Sequence, residues 1–387
     1  MIWKNRRWWI ACFALLVVGL GRPCFAGELG GNPAAHEPAA LRIAYVEGGP
    51  IIDYRLIFKG LVQELGRQGI ITVQAAPLRV NAADNRELWN WLSRFAGKTR
   101  LHFLEDGYYS AGWDREKRAE NKNALLERIR SRNDVDLILA FGTWAGQDFA
   151  TNDHPVPVLV FASNDPIHSG IIVSAEDSGH GHVSALFDPD RTRRQISVFH
   201  NIFRFERLGV VYEDTPGGRA HANLADLEKI APELGFSLVA CTGNVQAPDI
   251  HVAGAALLAC YHQLAEQVDA MFLTQSNGLQ PTRMTDLLQP FIDAKIPTFS
   301  QEGANDVSLG VLLSIAQRDY AGIGKLAASH VLEIMRGTQA RDLPQTYATS
   351  LAIAINLRMA MLIGWDPPLG VLAAVDEVYQ EVRNANE

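Results

Sequence analysis

Two successive series of alternating strand-like and helix-like segments constrain this chain more than any other feature. The first opens at 41–46 (LRIAYV), an apolar run with the length and composition of a strand. Ile57, Leu61, Val62 and Leu65 then recur at helical spacing, and Gly66 offers a stop. Residues 86–95 read as a helix, 101–104 as a short strand, and 114–132 as a charged amphipathic helix with Leu125, Leu126 and Ile129 on its apolar side. A strand at 135–141 (VDLILAF), a helix from about Trp144 and a strand at 156–162 (VPVLVFA) complete the series. After residue 165 the rhythm restarts, with strands at 208–212, 236–241, 270–274 and 296–299. Helices alternate with them: one carries Leu224, Leu227, Ile230 and Leu234 on one face, and the others cover 254–267 and 281–294. Alternation of this kind predicts an α/β protein whose parallel sheets are covered by helices on both faces, here as two similar lobes. The expected boundaries are 41–165 for the first lobe, with part of 300–345 returning to it, and 166–299 for the second. Residues 346–387 are expected to form a C-terminal helical extension, including a helix near 369–382.

The N-terminus has a different character. Lys4, Arg6 and Arg7 precede an unbroken apolar run at 8–20, and small residues at Cys24 and Ala26 flank Phe25 before Gly27. A basic start, a short apolar core and a small-x-small end predict a secretory signal at 1–26, cleaved near Ala26. The alternative is an uncleaved anchor, but the run is shorter than the roughly 20 residues of a membrane span. Residues 27–40, rich in Gly, Ala and Pro, read as a flexible leader. Without the signal the chain has 31 Lys and Arg against 43 Asp and Glu, a net charge of −12 spread along its length. That balance argues against a nucleic-acid partner. Cys241 and Cys260 are the cysteines left; in an oxidising compartment they either pair or sit as two buried thiols.

In open parallel sheets, ligands bind beyond the carboxyl ends of the strands. Four such ends carry candidate groups. In FGTWAGQ (141–147), Gly142 permits a turn and Thr143 is placed to cap a helix starting at Trp144, whose free N–H groups suit an anion. In FASNDPIHSG (161–170), Asn164 and Asp165 follow an apolar strand, and Asp165 is a candidate partner for a ligand ammonium. In TQSNG (274–278), Gln275, Ser276 and Asn277 supply uncharged donors and acceptors. In SQEGAND (300–306), Gln301 and Glu302 add an amide and a carboxylate. Ordinary turn chemistry accounts for each motif alone. Together, two from each series, they suit a zwitterion held between two lobes.

These blocks also carry a family resemblance. VDLILAFGTWAGQ, VPVLVFASNDPIHSGI, HGHVSAL, IPTFSQEG, LGVLLSIAQRDYAGIGKLAASHVLEIMRGTQARDLP and INLRMAMLIGW occur in an order and spacing that resemble the ABC-transporter substrate-binding proteins of type 1 periplasmic binding fold, the tryptophan and tyrosine uptake group. The resemblance implies two lobes joined by a hinge. It also implies a ligand carboxylate on Thr143 and nearby N–H groups including Trp144, an ammonium near Asp165, and the loops at 275–277 and 301–302 closing the shell. One departure is clear: the loop that carries an acid-asparagine pair in the family reads Gln275-Ser276-Asn277 here. The segment 80–120 is also long, with Trp89, Trp91, Tyr108, Tyr109 and Trp113 available for a wall over the ligand or for core packing.

Signals for catalysis are thin. There is no GxGxxG after a strand, no P-loop and no GxSxG elbow. His180 and His182 in GHGHV lack an evident third metal ligand, and Glu105 and Asp106, adjacent in a strand, point to opposite faces. The expectation is a monomeric periplasmic solute receptor without cofactor, metal or catalytic residues, delivering a small polar or zwitterionic ligand to an inner-membrane ABC permease. A sensor module serving a membrane signalling protein, or a hydrolase or transferase on the same scaffold, are the alternatives.

Overall fold

The computed structural model describes residues 40–73, 85–96, 100–317, 319–348 and 351–383. The expected signal and leader, up to residue 39, lie outside them. In chain order the first elements are β1 (Leu41–Glu47), α1 (Ile52–Arg67), α2 (Arg86–Phe95), β2 (Leu101–Ser110), α3 (Arg115–Arg132), β3 (Leu137–Phe141), α4 (Gly142–Phe149), β4 (Val158–Phe161) and β5 (Val183–Leu186). They continue as α5 (Arg191–Phe203), β6 (Arg207–Tyr212), α6 (Pro216–His221), α7 (Leu224–Leu234), β7 (Ser237–Thr242), α8 (Ile250–Ala265), β8 (Ala270–Leu273), α9 (Met284–Asp293) and β9 (Thr298–Ser300). The last are α10 (Ala304–Ser308), β10 (Leu313–Gln317), α11 (Tyr320–Met335), β11 (Leu351–Asn356), α12 (Leu357–Leu362), α13 (Leu369–Ala374) and β12 (Glu377–Tyr379).

The strands form two sheets. One has the order β2-β1-β3-β4-β5 and is parallel throughout. The other has the order β12-β11-β10-β9-β8-β6-β7 and is parallel except where β11 runs against β10. β3, β4 and β8 are buried at every residue, because helices cover both faces of such sheets. The two faces of the first sheet are nonetheless distinct. Tyr45, Leu139, Phe141, Leu159 and Phe161 pack with α1, α2 and α11, whereas Val46, Ile138, Ala140, Val158 and Val160 pack with α3 and α4. This is the period-two alternation of a pleated strand. A single core, built on Leu208, Val210, Met271, Phe272 and Phe299, serves the second sheet.

Strand order reverses between β1 and β3 in one sheet and between β6 and β8 in the other, so each sheet opens a crevice at its carboxyl edge. α11 follows β10 of the second sheet yet packs on α1 of the first. The two helices meet at paired glycines, where a Cβ on Gly324 would lie 2.6 Å from the Cα of Gly60.

The expected lobe boundaries need correction. β5 pairs with β4, so the first sheet extends to Leu186 rather than ending at 165. The stretch 346–387 is not a helical extension. β11 and β12 complete the second sheet, and helix in the range 369–382 is limited to α13. The alternation in LAIAIN explains β11. β12 is held beside it where the Asp376 carboxylate accepts the Ile353 N–H at 2.9 Å. Cys241 on the edge strand β7 and Cys260 on α8 form a disulfide, with Cα atoms 5.6 Å apart. Among the described residues no helix is long and apolar enough to cross a membrane.

Candidate functional site

The carboxyl ends of both sheets line one cavity of about 1090 Å³. From the first lobe come the turn after β1, the start of α4, the loop after β4 and the end of β5. From the second come the segments following β6, β7, β8 and β9.

The first lobe presents an aromatic wall. Trp113 adopts a left-handed backbone (φ 67°), a conformation that costs about 1–3 kcal/mol in a non-glycine residue. Its ring lies against Gly49, where a Cβ would come within 2.5 Å of the indole nitrogen, and edge-to-face with Trp144 at 5.7 Å. The Arg118 guanidinium sits 4.8 Å over the Trp144 ring and donates to both oxygens of Asp148 at 2.8 and 2.9 Å. Of the aromatic residues in 80–120, Trp113 therefore reaches the cavity. Trp89 is fully buried with its indole N–H on the Leu104 carbonyl, Tyr108 stacks on Tyr45, Trp91 packs on Phe95, and Tyr109 joins the core beneath the sheet.

Gly142, with φ +85°, opens α4 earlier than expected; a Cβ there would fall 1.9 Å from the Tyr54 hydroxyl. Thr143 is consequently inside the first turn and caps nothing. Its hydroxyl instead pairs with that of Ser163 at 3.2 Å, at the end of β4. Trp144 and Asn164 also line the cavity, and the Asn164 amide donates to the Gln275 side-chain carbonyl across the lobes at 3.1 Å.

Gln275, Ser276 and Asn277 line the cavity from the second lobe but are stitched to their neighbours. Ser276 donates to the Val245 carbonyl at 2.9 Å, Asn277 to the carbonyls of Gln246 and Ala247, and the Gln246 amide to the Gln275 carbonyl. Asp165 and Gln301 do not line the cavity. The Asp165 carboxylate accepts the His168 N–H at 2.9 Å and lies 2.8 Å from its imidazole. Gln301 is fully buried, donates to the His221 carbonyl at 3.0 Å, and has its own carbonyl bound by Arg191 and Gln195.

Glu302 is the most conspicuous polar group in the cleft. Its Oε1 is buried with no hydrogen-bond partner. Burial pushes its carboxyl up to about 7; Arg191 opposes the shift, while Asp53 and Asp306 add to it. Asp53, on the first turn of α1, is also held above the usual carboxylate range by burial, against the Tyr320 hydroxyl that donates to it at 2.9 Å and against Arg191. His221 is pushed down to about 4 by burial, with Arg118 adding to the effect. Asp53, Arg118, Arg191, His221 and Tyr320 all line the cavity, and none stood out in the sequence. For Asp53 a signal was available: it ends GGPIID, the turn leaving the central strand β1. The others are brought in by tertiary packing.

His180 and His182 lie away from the cleft, with the His182 ring 5.1 Å from that of His154. Among the described residues no three His, Cys, Asp or Glu are grouped so as to hold a metal ion. Glu105 pairs with Arg94, and Asp106 with Arg128 and Arg132.

Two α/β lobes whose parallel sheets share one crevice at their carboxyl ends make the type 1 periplasmic binding fold. Residues 104–378 match the model of the ABC transporter substrate binding protein family, and the chain belongs to that family. A tyrosine-binding protein from Clostridioides difficile is 24% identical over 268 residues, covering 67% of this chain and 74% of the relative. Among solved structures, a conserved domain protein from Vibrio cholerae superposes with a TM-score of 0.65 at 19% identity, over 88% of this chain and 99% of the other. An ABC domain in complex with L-Trp from Streptococcus pneumonia gives 0.62 at 16% identity, over 87% and 99%. The protein is thus the solute-binding component of an ABC importer, with a small molecule and a permease as partners. Members of this family are extracellular or periplasmic and bind substrates rather than transform them.

Proposed function

We propose that the cleft takes a small zwitterionic solute, an amino acid or close derivative, which the protein carries through the periplasm to the inner-membrane permease. The observation that carries this reading is Glu302, a carboxylate deep in a cavity shared by both lobes, with one oxygen that nothing in the protein satisfies. A buried charge of this kind is stabilised by a cationic partner. The ligand carboxylate then falls to the hydroxyls of Thr143 and Ser163 and to the free N–H groups of the first turn of α4. Trp113 and Trp144 flank the ligand's side chain, and Asn164, Gln275, Ser276 and Asn277 close over it. The tyrosine-binding relative supports an amino acid in particular. Closure about the hinge excludes water and brings donors of both lobes onto one ligand, and the permease reads the closed state. The protein acts as a monomer, released from its signal near Ala26.

Thermal-shift screening against the standard L-amino acids, sugars and nucleosides tests this. Ligand at about 100 times its Kd adds roughly 2.7 kcal/mol to apparent stability, which is several degrees in Tm. At least one amino acid is expected to give that shift. Stabilisation by a sugar or nucleoside alone would overturn the reading.

A further inference from the structure

The resemblance to the family leads one to look for a ligand-binding acid in the 274–278 loop, and none is there. The cleft nevertheless holds an excess of acids elsewhere. Asp53 enters from α1 of the first lobe, and Glu302 from the turn between β9 and α10 of the second. Asp306 also lines the cavity, and its carboxylate accepts the Ser300 hydroxyl at 2.6 Å. Arg191 is the cation that acts on both Asp53 and Glu302, and one arm of it is tied to the Gln301 carbonyl at 2.9 Å. Two buried carboxyls, Asp53 and Glu302, therefore share one guanidinium, and a third, Asp306, adds its charge to Glu302. Such an arrangement is costly unless a proton or a further cation joins it.

Asp53 is also firmly placed. The Tyr320 hydroxyl, 267 residues away in sequence, donates to it from the first residue of α11. The glycine contact between Gly60 and Gly324 holds α11 close on α1. A carboxylate fixed by two helices on one side of the cleft thus faces one with an unsatisfied oxygen on the other.

We propose that Asp53 and Glu302 are the two arms of a clamp, one from each lobe, that grips a single positively charged nitrogen on the ligand. The proposal rests on the reading above for placing the ligand in this cleft, and it names the group the cleft requires. Asp53 supplies the acid that the 275–277 loop lacks. Below about pH 7 the empty cleft keeps a proton on Glu302, whose carboxyl burial raises to about 7. The ligand's cation takes that proton's place, so binding releases protons and weakens as pH falls below 7. The groups facing the clamp are Tyr54 beside Asp53, Arg191 from α5, Asp306 from α10 and Tyr320 from α11. Burial holds both tyrosines above their ordinary range, so near neutral pH they stay protonated and the carboxyls alone titrate.

Calorimetry with three compounds separates the outcomes: L-tyrosine, its amine tyramine, and its deaminated acid 3-(4-hydroxyphenyl)propionate. L-Tyrosine and tyramine are expected to bind, and the acid to bind at least about 10-fold more weakly than L-tyrosine. Asp53→Asn and Glu302→Gln are each expected to weaken both amines by roughly 10- to 100-fold, the range for a lost hydrogen bond to a charged group. Tyr320→Phe, which leaves both carboxylates in place, guards against a folding defect in Asp53→Asn and is expected to cost a few-fold. Proton release, read from the dependence of binding heat on buffer, should fall in Glu302→Gln. If the deaminated acid binds as well as L-tyrosine, the clamp and the zwitterion reading both fail; if Asp53→Asn keeps wild-type affinity while Glu302→Gln loses it, the clamp is wrong and the zwitterion reading survives. If none of the three binds, agmatine and putrescine decide. Binding of either that is lost in Asp53→Asn upholds the clamp without an amino acid, and no binding of either overturns it.

Discussion

The two lobes meet the ligand cleft with different materials. The first offers rings and hydroxyls braced from behind: Trp113 against the glycine turn, Trp144 under Arg118, and Thr143 against Ser163. The second offers the amides of Gln246 and Asn277 and the Ser276 hydroxyl, each already donating to neighbouring backbone carbonyls. Their scaffolds differ in the same way. α1 and α11 of the first lobe are joined by close glycine packing, whereas the edge strand β7 of the second is tied to α8 by a disulfide. Both halves of the wall are thus fixed in advance, which lowers the entropy lost when a ligand is enclosed. The cavity-lining carboxylate with an unsatisfied oxygen belongs to Glu302, where the second lobe faces Asp53 of the first.

The largest effect is expected from the disulfide. Cys241 and Cys260 close a short loop of sequence separation 19, for which the chain-entropy model gives about 3 kcal/mol. The double variant Cys241→Ser/Cys260→Ser, unfolded in urea, should lose an amount of that order. Because Cys241 and Cys260 do not themselves line the cavity, the loss should appear in stability before ligand affinity. Gly324→Ala attacks the corresponding contact in the first lobe. A Cβ forced to 2.6 Å from the Gly60 backbone should cost about 1–3 kcal/mol as overpacking. In contrast to the disulfide variant, it should also weaken ligand binding, since Tyr320 and Asp53 ride on the two helices it separates.

Much of this was legible in the sequence, and the limits follow from physics. The βα rhythm is a local signal, and buried parallel strands such as LILAF and VLVF declare themselves by composition. β11 escaped because LAIAIN runs without a break into LRMAML, so strand and helix read as one apolar stretch. β5 escaped because four residues between polar turns carry little periodicity. In the cleft, polar residues next to strand ends could be named in advance, and seven of the nine line the cavity. Asp53 carried only its place after the GGPII turn, a weak signal because an acid in a first helical turn is common. Its meaning comes from Tyr320, Arg191 and Glu302, all remote in sequence.

Next in size is a pH effect on the ligand-free protein. The folded-state pKa of Glu302 is raised from 4.5 to about 7, so between those values the native state binds more protons than the unfolded chain. This group's contribution is therefore most favourable at or below about pH 4.5 and declines as pH rises through 7. Glu302→Gln removes the decline. Its Tm relative to wild type should rise between pH 5 and pH 8, while its ligand affinity falls. A difference in Tm that stays flat with pH would mean that Glu302 is solvated or paired in the empty protein.

The smallest effect is expected at Asp165, the acid first favoured as the partner of the ligand ammonium. Its side chain is engaged by the backbone and ring of His168, and it does not line the cavity. Asp165→Ala should therefore leave the affinity for the amino acid that wild type binds within about twofold, below 0.5 kcal/mol. The cost should appear instead as a small loss of stability in the turn after β4, of the size of the hydrogen bond from the His168 N–H, about 0.5–1.5 kcal/mol. A loss of affinity greater than tenfold, with stability unchanged, would return the ammonium to Asp165 and move the ligand towards the first lobe. Unchanged affinity here, beside a large loss in Asp53→Asn, would place the cation at the junction of the two lobes, where closure itself completes its coordination.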